Sequence, residues 1–526
     1  MKIRNNQEFP NHQMNGTIDM ERALIVETAA SAVDEVTKLL QIDEPLWIKS
    51  ASEGRCILHR GSYEKIFLTR ANFNIRSFTN GARFESSKHS GIVTMSAMHL
   101  VDAFLDSDKW GDIFPTIVTK EKTIQALEKG ALENRHGSLH MMYEKMHILS
   151  PLVPSREFCF LRHCRQIEHG TWVIADVSYD FSKECVFPSR SWRLPSGCMI
   201  EDMSNGSSKV TWVEHVHVDD KSQTNRLYRD LVCGSHNIAY GAERWILTLK
   251  RMCERFTYFS KLPETTATAD NGFGRVIIMA EGKQSVMNLS HRMVKNFCGT
   301  LNMSGKLDFP QLAEVTNSGV RVSVREATET GQPSGIIVGA ATSLWLPLPP
   351  QAVFDFFRDD KTRFQWDVLS NGYPVHEIEH ISTGAHPGNC ISIIRPFIPT
   401  ENNMLMLQES CIDRLGSLIV YAPIDVTTLN MAITGQDSSA IPILPSGFII
   451  SADGRGTNHR STKAASTSSS GTSGSSSSGG SLLTVAFQIL VSCKQLNVES
   501  VAAVNTLISS TVQKIKSSLN CSNDLD

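Results

Sequence analysis

The chain has 526 residues, 41% of them hydrophobic and 20% charged, with a formal net charge of −3. That length calls for several domains, each able to bury its own core, and the near-neutral charge excludes the electrostatic footprint of a nucleic-acid or anionic-membrane binder. The longest apolar run, Ile336 to Leu348, is too short to span a bilayer and is broken by Gly and Pro.

In chain order, residues 1–20 read as a disordered tail. Their opening, "MKIRNNQEFPNHQ", lacks the apolar centre of a secretory signal. The stretch from Glu21 to Gln41 puts Leu24, Ala32, Val36, Leu39 and Leu40 near one helical face, and Pro45 suits the end of that helix. The middle of each half is strand-like, with β-branched and aromatic runs bounded by Gly and Pro. A closing helix in the first half carries Trp245, Leu249, Met252, Phe256 and Phe259 at three- and four-residue steps. In the second half Val501, Val504, Ile508, Val512, Ile515 and Leu519 follow the same spacing. Each half therefore reads helix, antiparallel sheet, helix: an α+β fold with a long C-terminal helix over a curved sheet.

The halves, residues 21–260 and 283–520, are joined by a linker at 261–282. The junction lies in "KLPETTATADNGFGR", which has no periodicity. A Ser/Gly-rich stretch at 455–481 reads as a disordered loop inside the second half, and residues 521–526 as a tail. Twelve scattered cysteines with no C-x-x-C pair read as reduced thiols of an intracellular protein.

The two halves repeat each other. "LPSG" occurs at Leu194 and again at Leu444, and matched stretches flank it in the same order. "VDAFLDSDK" from Val101 answers to "VFDFFRDDK" from Val353, and "GTWVIADVSYD" from Gly170 to "GSLIVYAPIDV" from Gly416. One recurring loop is weak evidence; an ordered series makes a tandem of two copies of one fold.

Strand alternation identifies what lines a cavity between sheet and closing helix. In "REFCFLRHC", Arg156, Phe158, Phe160, Arg162 and Cys164 share one face, which leaves Arg162 among aromatics and in need of a partner. In "VTWVEHVHV" the set Val210, Trp212, Glu214, Val216 and Val218 is apolar except for Glu214. An Arg162–Glu214 pair is expected on that wall, either as a polar anchor for a ligand or as a structural salt bridge. With Trp245, Leu249 and Met252 of the closing helix, these residues are the candidate lining. In the second copy, aligning "NMLMLQESC" on its final Cys puts Glu409 at the place of Arg162, which makes the first copy the expected ligand binder.

His215 and His217 lie two apart on one strand face but lack further ligands at metal spacing, so they read as solvated strand histidines. No nucleophile elbow, P-loop, H-E-x-x-H or dinucleotide fingerprint is present, and no nucleophile–base pair is visible. A non-enzymatic protein is expected.

The stretches "SPLVPSREFCFLRHC", "PSGCMIEDMSNGSSKVTWVEH" and "GAERWILTLKRMCERF" resemble the START lipid-binding domain of plant class IV homeodomain–leucine zipper transcription factors. "KTRFQWDVLSNG" and "HPGNCISIIRP" resemble the START-adjacent domain of the same family. The resemblance runs from about Glu21 to Leu519. It implies a tandem pair of helix-grip domains, the first enclosing a tunnel for one sterol, phospholipid or other lipid. It also implies an inward arginine near the lipid head group, at Arg162, with a carboxylate partner for which Glu121 and Glu214 are the candidates. The implied role is regulation of transcription in epidermal or related development, in the nucleus by family, with the cytoplasm open for want of a clear nuclear signal. Implied partners are the lipid and other transcription-factor subunits or regulators, with no cofactor. No "WFQNRR"-like helix, sustained heptad or basic run precedes Met20, so this chain by itself is not expected to bind DNA specifically. A side-chain-filled interaction module is the first alternative reading, and an enzyme that uses the helix-grip cavity is the second.

Overall fold

A computed structural model describes residues 12–49, 55–67, 81–180, 190–234, 239–261, 280–302, 320–327, 330–370, 372–398, 403–455, 479–491 and 498–521. The junction within 262–279, the core of the Ser/Gly stretch and the C-terminal tail lie outside these residues. The elements of the first half are α1 (His12–Gln41), β1 (Trp47–Lys49), β2 (Cys56–Leu58), α2 (Arg60–Ile66), β3 (Arg83–Val93), α3 (Ala97–Leu105), α4 (Ser107–Ile113), β4 (Val118–Glu128), β5 (Leu139–Met146), β6 (Arg156–Glu168), β7 (Thr171–Ser178), β8 (Ser191–Arg193), β9 (Ser196–Asp202), β10 (Ser208–Val218), α5 (Arg229–Cys233) and α6 (Ala242–Lys261). Those of the second are α7 (Ala280–Thr300), β11 (Arg321–Glu326), β12 (Ile336–Leu346), α8 (Pro350–Arg358), α9 (Asp360–Arg363), β13 (Val375–Ser382), β14 (Cys390–Pro396), β15 (Met404–Asp413), β16 (Gly416–Asp425), α10 (Val426–Ile433), β17 (Ser446–Ala452), β18 (Ser481–Val491) and α11 (Val498–Ser518). The chain forms two compact units. One comprises Met1–Trp110, Glu121–Glu144 and Glu157–Asp219; the other comprises Gly111–Lys120, Lys145–Arg156 and Asp220–Asp526, and so includes α6.

In the first sheet the strands run β1-β2-β3-β10-β9-β7-β6-β5-β4, with β8 beside β10. One face is covered by α1. Its residues Ile25, Ala29, Ala32, Val33, Val36, Leu39 and Leu40 are buried and pack with Leu161, Val173, Ala175, Val177 and Val213 of the strands. The expected Leu24 is instead 48% exposed, because the stripe that runs unbroken at three- and four-residue steps begins at Ile25. β6 alternates as its pattern requires: Phe158, Phe160 and Arg162 face away from α1, while Leu161 faces it.

The second sheet runs β11-β12-β18-β17-β16-β15-β14-β13. From β12 to β13 this is the order β3-β10-β9-β7-β6-β5-β4 of the first sheet, so the repeat holds in space as a tandem of helix-grip folds. On one face α7 buries Val286, Leu289, Met293 and Phe297 against Leu405, Leu407 and Val420. On the other, α11 buries Val504, Ile508 and Ile515 with Phe448, Ile450, Leu483 and Val485.

The repeated "LPSG" has a steric cause. Gly197 lies opposite Ala175, and a Cβ on it would stand 2.0 Å from the Ile174 carbonyl oxygen. Gly447 lies opposite Val420, where a Cβ would stand 2.4 Å from the Ile419 oxygen. At both places the neighbouring backbone passes too close for any side chain.

The reduced-thiol expectation holds at nine free cysteines among the described residues and fails at Cys159, which is disulfide-bonded.

Candidate functional site

The site is built on the inner face of the first sheet, the face turned away from α1. Register sets Arg162 of β6 directly opposite Asp176 of β7. The guanidinium forks onto that carboxylate, Nε to Oδ1 and Nη2 to Oδ2 both at 2.8 Å, and Nη1 donates to the Phe104 carbonyl at 2.7 Å. It lies 4.0 Å above the Trp110 ring. A second arginine, Arg193 of β8, lies over Phe158 and Phe160 at 4.5 and 4.8 Å. Arg193 reaches Glu144 at 2.9 Å, Asp176 at 3.3 Å and Glu214 at 3.5 Å. Trp110 Nε1 donates to Glu144 at 2.8 Å, and Trp212 Nε1 approaches Glu214 at 3.4 Å. All five charged groups are buried.

Two guanidiniums therefore face three carboxylates. Burial pushes the Glu214 carboxyl up to about 7; Arg193 opposes that rise, while Glu144 and Asp176 add to it. With a proton on Glu214 the cluster is neutral. Glu214 is also the member held at the longest distances.

The expected Arg162–Glu214 pair does not form, and Glu121 is not the partner either. β9 and β7 separate β10 from β6, whereas Asp176 stands one strand away. The signal that was missed is the lone acid in "VIADVS", together with the arginine just ahead of "LPSG". Phe158, Phe160, Arg162, Trp212 and Glu214 are gathered on this face. Trp245, Leu249 and Met252 are buried on α6, in the second compact unit, where Trp245 meets Phe114 edge-on at 4.7 Å.

Of the two histidines, His215 is not solvated: it is buried, edge-on to Tyr63 of α2 at 5.2 Å, whereas His217 is half-buried and stacks at 4.3 Å on Phe84, which is itself exposed. Among the described residues no group of three or more His, Cys, Asp or Glu could hold a metal.

The second copy has its own inner polar group. Arg363 of α9 donates from Nε to Asp367 at 2.7 Å and from Nη1 to Gln408 at 2.5 Å, and lies 5.0 Å from both the Trp366 and Tyr421 rings. Gln408 pairs across to Tyr421, next to the Gly447 site, as Arg162 pairs to Asp176 next to Gly197. Gln408, not Glu409, is thus the spatial counterpart of Arg162; alignment on the cysteine slips one residue, which turns every side chain to the other face. Glu409 points to the α7 side. It is ion-paired with Arg255 of α6 and accepts from Ser290 Oγ at 2.5 Å, while Arg255 Nη2 also donates to the Met287 carbonyl at 3.0 Å.

A nucleophile–base arrangement that the sequence did not reveal stands on β13 and β14. Hydrogen bonds to Cys390 and Glu377 raise His380 to about 10. Burial acts to raise the Cys390 thiol, but its hydrogen bonds with His380 and Ser410 outweigh it and the thiol is lowered. Cys390 is 1% exposed, so a substrate atom has no approach to its sulfur.

Against known families, the START domain matches residues 27–255 and the PDF2-like C-terminal domain residues 279–521. The chain is 46% identical to homeobox-leucine zipper protein HDG11 of Arabidopsis thaliana, over 95% of this chain and 68% of that protein. It is 47% identical to homeobox-leucine zipper protein ROC8 of Oryza sativa subsp. japonica, over 96% of this chain and 71% of that one. Among solved structures, the human StarD13 (DLC2) lipid transfer and protein localization domain covers 47% of this chain and 98% of its own at 12% identity, TM-score 0.29. Human StAR-related lipid transfer protein 5 covers 44% and 98% at 16% identity, TM-score 0.28. The chain belongs to the plant class IV homeodomain–leucine zipper family, of which it carries the START and PDF2-like C-terminal domains.

Proposed function

We propose that the chain is a non-enzymatic regulatory module of a nuclear transcriptional regulator, and that its first copy binds one lipid whose polar end exchanges hydrogen bonds at Glu214 and Arg193. The supporting observation is the unequal strength of the buried cluster. Arg162 is held by a bidentate carboxylate and a carbonyl, so it acts as the fixed floor of the site. Glu214, held at 3.4 and 3.5 Å, is the group that a ligand hydroxyl can engage at least cost. Ligand binding would favour one conformation of the regulator by differential affinity and so bias its stability or its choice of partner subunits. Purification of the full chain followed by lipid mass spectrometry tests this. A lipid that accompanies the wild type and is lost or exchanged in a folded Glu214→Leu variant supports the reading. A protein free of lipid at every stage favours the side-chain-filled interaction module.

A further inference from the structure

The second compact unit contains a pocket of about 760 Å³ of empty space, part of it open to solvent, between α6 and the turn joining β15 to β16. Leu231, Leu418 and Ile449 form an apolar wall, and Arg244, Arg251 and Asp413 a polar one. Pockets that take small molecules have this make-up, a mostly apolar lining with a few convergent polar groups.

Its charges do not balance. Arg244 Nη1 donates to the backbone carbonyls of His147 and Ala239, each at 3.0 Å, and Nη2 to that of Thr116 at 2.5 Å. Those bonds orient the guanidinium without neutralising it, and no carboxylate among the described residues forms an ion pair with Arg244. Burial lowers its pKa to about 10, which leaves it a cation at neutral pH. Arg251 Nη1 meets Asp413 Oδ2 at 3.2 Å. The other oxygen of Asp413 already accepts from the backbone N–H groups of Leu415 and Gly416, at 2.8 and 3.2 Å. Two guanidiniums thus share one partly committed carboxylate, and the wall carries one uncompensated positive charge.

We propose that this pocket binds a small amphipathic monoanion, a carboxylate joined to an apolar chain, with the carboxylate at Arg244 and Arg251 and the apolar body against Leu231, Leu418 and Ile449. A single negative charge neutralises the wall, whereas a dianion would be repelled by Asp413. A carboxylate also matches the planar donor fork of arginine. This site is separate from the one at Glu214.

The test is isothermal titration of the full chain with dodecanoate, below its micellisation concentration, and in parallel with dodecanol. Dodecanoate should give a saturable site, and dodecanol should bind at least tenfold more weakly. Arg251→Gln should weaken dodecanoate at least tenfold. Ile449→Trp, at a half-buried position on the pocket wall, should abolish that site while the melting temperature stays within a few degrees. If Ile449→Trp does not fold, Arg251→Gln alone decides. Absence of saturable binding, equal binding of dodecanol, or indifference to both substitutions would overturn the proposal.

Discussion

Arg162 and Arg363 do the same thing from different places. Each is a buried guanidinium lying over a tryptophan, Trp110 in one copy and Trp366 in the other, yet Arg162 is carried by a strand and Arg363 by a short helix. The strand position equivalent to Arg162 holds a neutral glutamine in the second copy, and the position equivalent to Asp176 holds a tyrosine. The duplicated fold has kept register, strand order and the close-approach glycines, while the polar end of the interior has been rewritten. Charge shows the difference most clearly. The first copy gathers two arginines and three acids, one of them loosely held; the second has one arginine and one acid, closely paired. A loosely held acid can take on a ligand, whereas a closed pair has little to offer one.

That contrast can be broken most forcefully at Asp176, which serves both Arg162 and Arg193. Asp176→Leu should cost about 3–5 kcal/mol, because it leaves the buried Arg162 without its acid, although Arg193 keeps Glu144 and Glu214. Asp367→Leu should cost less, since Arg363 keeps Gln408. Chemical denaturation of the full chain, read by tryptophan fluorescence, compares the two, and equal losses would erase the distinction. Adding Arg162→Leu to Asp176→Leu should recover much of the first loss.

The next effect is one of pH. Glu214 has its carboxyl raised to about 7 in the folded chain, so between its ordinary value of 4.5 and 7 the folded state holds a proton that the unfolded state has lost. Its contribution to stability is therefore fully present below 4.5 and is lost as pH rises through 7. Wild type should lose roughly 2–3 kcal/mol relative to Glu214→Gln between pH 5 and 8. Parallel stability curves for the two proteins would show that Glu214 is ionised throughout and bound more tightly than its distances suggest.

In the second copy, Gln408→Leu should cost about 1–2 kcal/mol, since it removes one acceptor from a buried guanidinium that retains Asp367. The smallest effect is expected at Tyr421, whose buried hydroxyl has no hydrogen-bond partner among the described residues. Tyr421→Phe should be neutral or stabilise by up to about 1 kcal/mol. A clear loss there would mean that a bound molecule, or a residue outside the described ones, satisfies that hydroxyl; a bound molecule would move ligand binding into the second copy.

The strand alternation of "REFCFLRHC" placed Phe158, Phe160 and Arg162 on the inner face because period two survives any error of distance. What alternation cannot supply is the identity of the neighbouring strand. Alternation therefore points to Glu214, which shares the face but sits two strands beyond Asp176. The same limit misplaced Glu409, where a one-residue slip looked like conservation of position with reversal of charge. The buried state of His215 was illegible for another reason: a strand's sequence does not say whether its second face will be roofed. The pocket beside Arg244 depends on contacts between segments more than a hundred residues apart, which no local pattern records.

Arg255 and Glu409 bear on how separable the matched domains are. Arg255 is the last residue of the START match, and its counter-ion lies 154 residues later, well inside the PDF2-like match. Buried ion pairs are far more costly to split than they are valuable to form. A protease cut or an alternative transcript that parted the chain between the two matches would leave one product with an orphaned cation and the other with an orphaned anion. A chain reduced to one of the two matches should therefore be more stable once the residue left behind, Arg255 or Glu409, is replaced by a neutral one.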